Sequence, residues 1–310
     1  MKKYLLLIVI VQAFWQTGLT QDEAIYRHYH LNPVLVNPGY TGFEDVHNLM
    51  FNYNNHWASF DGTPKTVTAS YHGPVGARIG LGGMFVSDRI ASLRRTKVQM
   101  SYGFKFLLND FKFNIGLSTA YEQSELKGTA ILDPLIDITD PALIEATDGV
   151  EIFDAAFGVH ASYDKFFFGL AFPNMIRARV DEELISAADE KTVFKYYLAY
   201  FGYKWDLGGE YNFRVEPSMT IRDVRHAPLQ VDFNLKANLY EDQLVGGFTY
   251  TLGGGNRFSI LLGTQLTNFG LYYSYTTSFQ QFQQYNDGSH EVSIAFRFGE
   301  RRVQLEEVGQ

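Results

Sequence analysis

Between residues 229 and 239 the chain reads Leu-Gln-Val-Asp-Phe-Asn-Leu-Lys-Ala-Asn-Leu, apolar at every odd position and polar or charged at every even one. Successive side chains of a strand leave opposite faces, so a period of two builds a sheet with one apolar and one polar face. Phe113, Ile115, Leu117 and Tyr121 alternate in the same way with Lys112, Asn114, Gly116 and Ser118. Val292, Ile294, Phe296 and Phe298 oppose Glu291, Ser293, Ala295 and Arg297, and Tyr211, Phe213 and Val215 oppose Asn212, Arg214 and Glu216. Followed along the chain, the pattern predicts about fourteen strands. They lie near 48–57, 65–72, 77–88, 92–106, 111–124, 151–162, 164–172, 193–206, 210–221, 228–240, 242–252, 256–267, 269–278 and 289–298. Pro217, inside one of them, lacks a ladder donor and predicts a bulge or an early strand end there.

Alternation suits a soluble sandwich as well as a membrane barrel, and three observations separate them. Several expected strands run ten residues or more, the length a tilted strand needs to cross a bilayer. The even-numbered connections, at His72–Gly76, Leu107–Asp110, Asp164, Leu207–Gly209, Glu241 and Asn268, are all tight, whereas the long ones, 125–150, 173–192 and 279–288, are all odd-numbered. Short inner turns opposite long outer loops mark outer-membrane barrels. Tyr71, Phe106, Phe111, Tyr163, Tyr203, Trp205, Tyr211 and Tyr240 border the tight turns, where amphipathic rings meet the membrane–water boundary. The fold class is therefore all-β, a transmembrane antiparallel up-and-down β-barrel. Val231, Phe233, Leu235, Val292, Ile294 and Phe296 are expected to face lipid; Asp232, Lys236, Arg214, Glu216 and Arg297 are expected inside.

Composition removes other classes. With 34 acidic against 26 basic residues in 310, the net charge of −8 argues against a nucleic-acid partner. No cysteine is present, so disulfides and thiolate chemistry are excluded. A mean hydropathy of −0.14 rules out a bundle of apolar helices but not strands that alternate. Lys2 and Lys3, the apolar run 4–11 and the polar Gln16–Thr20 read as a signal peptide over 1–20, cut before Gln21. The expected organisation continues with an N-terminal periplasmic or plug segment at 21–47, the barrel at 48–298 and a periplasmic tail at 299–310. Two Asn-Pro steps and two glycines make the 26–42 stretch irregular, and its apolar residues Leu31, Val34, Leu35, Val36, Tyr40 and Phe43 favour packing over disorder.

Ordered motifs span the mature chain. They are Leu31-Asn32-Pro33, Val36-Asn37-Pro38-Gly-Tyr-Thr-Gly42, His56-Trp57, Asp61-Gly62-Thr-Pro64-Lys-Thr66, Gly80-Leu-Gly-Gly83 leading to Asp88, Glu216-Pro-Ser218, and Gly288-Ser-His290-Glu291-Val292. In these the sequence resembles the PorP/SprF family, outer-membrane proteins of the type IX secretion system of Bacteroidetes. His56 departs from the family, where Arg and Gln more often precede this Trp. The resemblance implies a fourteen-stranded outer-membrane barrel that supports secretion or cell-surface attachment of cargo such as gliding adhesins. It implies two kinds of partner: cargo with a C-terminal sorting domain outside, and periplasmic components of the machine inside.

Catalytic and cofactor readings find little support in the residues. His28-x-His30 has short metal spacing but no acidic third ligand close by, and no GxSxG or HExxH occurs. Gly76–Gly83 imitates a nucleotide loop, yet a strand follows it, so small residues packing in a strand account for it better. The stretch 125–154 carries eight acids against Lys127 alone and reads as a solvated acidic outer loop; a short surface helix is expected within 181–190. No enzyme, cofactor or metal is expected. The alternative reading is a FadL-like channel for hydrophobic solutes, which a lateral opening and an apolar lumen pocket would favour and a charged inner face opposes.

Overall fold

The computed structural model describes residues 26–127, 147, 149–180, 194–209, 212–224 and 227–299. The expected signal peptide, most of the acidic stretch, the helix expected within 181–190 and the expected tail beyond 299 lie outside the described residues. Sixteen strands form one antiparallel sheet: β1 (His47–Asn55), β2 (Lys65–Pro74), β3 (Ile79–Ile90), β4 (Leu93–Leu108), β5 (Phe111–Leu126), β6 (Val150–Tyr163), β7 (Phe166–Phe172), β8 (Ala178–Arg179), β9 (Tyr197–Tyr203), β10 (Trp205–Gly208), β11 (Phe213–Asp223), β12 (Gln230–Leu239), β13 (Leu244–Leu252), β14 (Arg257–Gln265), β15 (Phe269–Ser278) and β16 (Ser289–Phe298). Consecutive strands pair from β1 to β7 and from β10 to β16, β16 pairs with β1, and β9 bridges β7 and β11. Fourteen strands thus close a ring; β8 only extends the outer end beside β6, and β10 continues β9 along β11. All fourteen expected strands form.

Register explains the alternation. Phe233, Phe248, Ile260 and Leu262 are 45–62% exposed around the barrel, while Asp232, Thr251, Ser259 and Asn234 between them are buried. An apolar band this extensive is not how a soluble protein presents its surface; it is how a barrel meets lipid, with polar residues turned inward. The inner-rim turns are closed by left-handed residues such as Asn109 and Asp164, at φ +52° and +49°, a conformation Asn and Asp tolerate. Rings meet along this rim: Phe111 stacks on Tyr163 at 4.5 Å, Phe166 lies tilted against Tyr203 at 4.7 Å, and His47, Tyr71 and Phe298 form a cluster of near-parallel rings. The first and last outer loops are tied by Ala58 N to Gly288 O and Asp287 N to Ala58 O, at 2.8 and 3.1 Å.

Two expectations are corrected. Pro217 neither bulges nor ends its strand: β11 runs through it, paired with Leu235 of β12. On the other side, Ser218 pairs with Gly202 and Val215 with Trp205 in one unbroken register, and the ladder merely has no rung opposite Glu216–Pro217. The missing N–H falls where β9 gives way to β10, and Lys204 N bonds Lys165 O on its far side instead. The acidic stretch is not all loop either. Asp154 lies on β6 with its side chain buried in the lumen, because the alternation of β6 turns it inward.

Candidate functional site: the filled lumen and its outer vestibule

The chain from Tyr26 to Val46 lies inside the barrel. It runs from the outer half of the lumen to the inner rim through three single turns of 3-10 helix, 28–30, 33–35 and 38–40. Pro33 and Pro38 start two of them, and the Asn37 side chain caps the third by accepting Gly39 N at 2.8 Å. So short and irregular a segment leaves many backbone groups unpaired, and the barrel wall supplies the partners. Glu291 of β16 accepts Arg27 N and His28 N at 2.8 and 3.1 Å, together with the Asn52 and Asn54 amides. Asn114 donates to Gly39 O and Thr41 O at 2.8 and 2.9 Å. Asn37 donates to Val159 O at 3.0 Å and to the Tyr200 hydroxyl at 3.2 Å, and Asn32 to Ser70. At the inner rim Asp45 pairs with Lys105 and Lys112.

The wall is shaped to receive this backbone. Gly80 pairs with Gly103, Gly103 with Gly116, and Gly116 with Gly158, so four adjacent strands place glycine in one row. A Cβ on Gly80 or Gly103 would meet Thr41 O, one on Gly116 the Pro38 carbonyl, and one on Gly158 the Asn37 side chain. The row is a furrow in which residues 37–42 lie directly against the sheet, a close approach only glycine permits. The apolar residues that alternation leaves inside gather around the same segment: Tyr26, Tyr29 and Leu35 with Met84 and Val86; Leu31 against Met50, Leu261 and Tyr272; Val36 against Leu198 and Tyr200.

Charge inside is matched or neutral. Burial pushes the His28 imidazole down to about 3, so its short contacts to Ser293 Oγ and Ser274 Oγ, 2.6 and 2.7 Å, join neutral groups. Burial, with His28 nearby, brings His30 down to about 3 as well. For Glu44 burial works upward, but Arg297, the Tyr40 hydroxyl and His72 outweigh it and hold the carboxyl at about 2. Asp232 gathers Arg222 at 3.0 Å and Arg27 at 3.7 Å, while Tyr29 OH donates to Asp232 and Thr220.

Toward the outer rim the segment forms the floor of an open vestibule. Val34, Leu35 and Val36 make its base; Arg95, Glu122, Asp154 and Arg177 stand on its walls, with Glu122 shared by Arg95 at 3.2 Å and Arg177 at 3.3 Å. The mixture suits recognition of a polypeptide with an apolar anchor and charged neighbours. Among the described residues no group of three or more His, Asp or Glu is placed to hold a metal.

The motif residues sort by place. Asn32, Pro33, Asn37, Pro38 and Gly42 belong to the lumen segment, Glu291 to its anchor, and Asp88 to the vestibule wall, bonded by Thr66 at 2.7 Å. Trp57, Gly62 and Pro64 form the first outer loop, where Pro64 O accepts His56 N and Gly62 O accepts Ala91 N. His290 sits near the outer rim, with the Tyr273 hydroxyl at 2.7 Å from Nδ1. Asn52, Asn54, Asn114 and the glycine row went unremarked as functional positions. Their signal was an excess of Asn and Gly at inward-facing positions, which takes meaning only once register is known.

The barrel has distant likenesses among solved structures. CymD, a monoaromatic hydrocarbon channel, aligns at TM-score 0.49 and 12% identity over 93% of this chain and 96% of its own. Omp33 of Acinetobacter baumannii aligns at 0.46 and 9% over 83% and 100%, and a Pseudomonas aeruginosa FadL homologue at 0.44 and 10% over 81% and 87%. No curated protein matches the sequence. A family model does: type IX secretion system membrane protein PorP/SprF, over residues 19–296.

Proposed function

The chain belongs to the PorP/SprF family of type IX secretion system membrane proteins, and from that premise we propose that it works as a plugged receptor rather than a conduit. It is an outer-membrane β-barrel. In this reading cargo bearing a C-terminal sorting domain docks at the outer rim and vestibule, for secretion or for attachment to the cell surface. Periplasmic components of the machine meet the inner rim. The role is non-enzymatic and uses no cofactor.

One observation carries the reading: the lumen is occupied by the chain's own residues 26–46, held by buried hydrogen bonds whose loss leaves unsatisfied groups. Such a lumen is a rigid base for recognition. The competing channel reading requires the segment to leave. Affinity purification of the barrel from outer membranes, with and without a secreted protein carrying the sorting domain, tests the proposal. Co-purification of that protein is the expected result; recovery of lipid or small solutes alone would overturn it in favour of a channel.

A further inference from the structure

The vestibule encloses about 120 Å³, comparable with the roughly 150 Å³ that admits benzene in a protein core. It takes one apolar side chain and the atoms next to it, not a folded domain. Its base is blind, because residues 34–36 of the lumen segment close it from below. Leu35 packs there against Met84 and Val86. Lys97 of β4 is the direct cross-strand partner of Val86 and lines the same space, so an ammonium stands beside the apolar base.

The charges around this space are unevenly committed. Four basic and three acidic side chains line it. Glu122 is shared by Arg95 and Arg177, and Asp88 accepts from Thr66 at 2.7 Å. Asp154 Oδ1 accepts Ala155 N and Arg177 N at 2.7 and 3.2 Å. Arg222 pairs with Asp232 at 3.0 Å. Lys97 differs: Asp154 feels its charge, but among the described residues no acid lies within ion-pair distance of its Nζ. The vestibule thus has a cation without a counter-ion and no acid without a partner. That favours a monoanion and disfavours a cation or a zwitterion.

Size and spacing narrow the monoanion. A phosphate ester near two negative charges exceeds the one spare cation. In an extended chain adjacent side chains leave opposite faces, so an interior acid and its apolar neighbour cannot both enter a blind pocket. The last residue of a polypeptide can, because its side chain and its α-carboxylate hang from one Cα. The separation suits it, since directly opposed side chains such as Val86 and Lys97 have Cβ atoms about 5 Å apart. Gln99 and Ser118 on the wall offer polar groups to the preceding peptide unit.

We propose that the vestibule binds the C-terminal residue of a polypeptide, with its apolar side chain on Leu35, Met84 and Val86 and its α-carboxylate on Lys97. The inference rests on the cargo-docking reading and narrows it to one residue of the partner.

The test is isothermal titration of the detergent-purified full chain with acetyl-Gly-Ser-Gly-Ser-Leu. The peptide is used as the free acid, as the C-terminal amide, and with glycine in place of the final leucine; octanoate controls for a small amphiphile. The leucine-ended acid should bind saturably, about tenfold tighter than each of the other three. Lys97→Met should abolish the preference for acid over amide, and Lys97→Arg should retain it. Heat-modifiable migration reports whether each variant has folded, and should Lys97→Met not fold, the comparison of acid with amide on the parent chain decides. No saturation by the leucine-ended acid up to about 10 mM would overturn the proposal. So would equal binding of the amide or of octanoate, or an intact preference for the acid in folded Lys97→Met. If the peptides fail while a sorting-domain protein still co-purifies, this inference alone falls; if neither binds, the docking reading falls with it.

Discussion

Replacing Gly116 by alanine should unseat the lumen segment without harming the barrel. The new methyl group points at the Pro38 carbonyl, so backbone meets backbone and no flexible side chain can swing aside. β5 is held along its length by β4 and β6, which leaves residues 37–42 as the part that yields. If the segment stays, overpacking costs about 1–3 kcal/mol. If it lifts away, it loses the bonds from Asn114 to Gly39 O and Thr41 O and from Asn37 to Val159 O and Tyr200. At about 0.5–1.5 kcal/mol each, that is roughly 2–6 kcal/mol. The smaller cost prevails, so the seated state is strained by about 1–3 kcal/mol, and open states become roughly five- to 150-fold more frequent. Limited proteolysis within 26–46 and conductance in planar bilayers would both rise by such factors, with heat-modifiable gel migration unchanged. Gly246→Ala is the matched control: a Cβ there meets nothing within 4 Å, and removing a strand glycine should be neutral or favourable by about 0.5–1 kcal/mol. Equal protection and equal conductance in Gly116→Ala, Gly246→Ala and the parent chain would refute the furrow as a seat.

Further expectations follow from other parts of the lumen. Glu291→Ala removes the acceptor shared by Arg27 N, His28 N, Asn52 and Asn54; stability should fall by about 2–4 kcal/mol, read from denaturant melts, with Glu291→Gln intermediate. Asp45→Asn leaves Lys105, whose side chain is 3% exposed, without its counter-charge; the loss should be about 1–3 kcal/mol, below the fully buried case because Asp45 is partly exposed. Phe233→Lys, in the lipid band, should abolish heat-modifiable migration. Asn234→Lys should still form the barrel but release Tyr29, whose hydroxyl accepts from Asn234. Seating should also weaken in acid. A released His28 or His30 binds protons below pH 6.5, whereas the seated rings resist them down to about 3. Glu44, held at about 2, adds to the loss below its ordinary value of 4.5. Protease protection of 26–46 that stays constant from pH 8 to pH 4 would contradict this.

The barrel was legible because its period of two is imposed on every strand by lipid outside and polar filling inside. Pro217 misled because the cost of a missing N–H depends on the neighbouring strand, and here that neighbour changes from β9 to β10 beside it. The lumen segment was legible as packed, since Asn-Pro steps and apolar residues occur together. Its seat was not. Gly80 reads as a small residue packing in a strand; its alignment with Gly103, Gly116 and Gly158 depends on the pairing of four strands spread over nearly 80 residues. Asp154 reads as part of a solvated loop by charge density alone, whereas the alternation places it in the strand expected at 151–162, and the strand prevails.

The anchor of the lumen segment sets an order of events. Arg27 and His28, near the first described residue, are held by Glu291 on the last strand, 264 and 263 positions away. The carboxylate that receives them arrives only when β16 closes onto β1. A barrel lacking its final strand therefore cannot complete the upper half of its own filling, however well the other thirteen strands have paired. Occupancy of the lumen is a built-in report that membrane insertion has finished, and a chain stalled short of its last hairpin would leave the N-terminal segment open to envelope proteases.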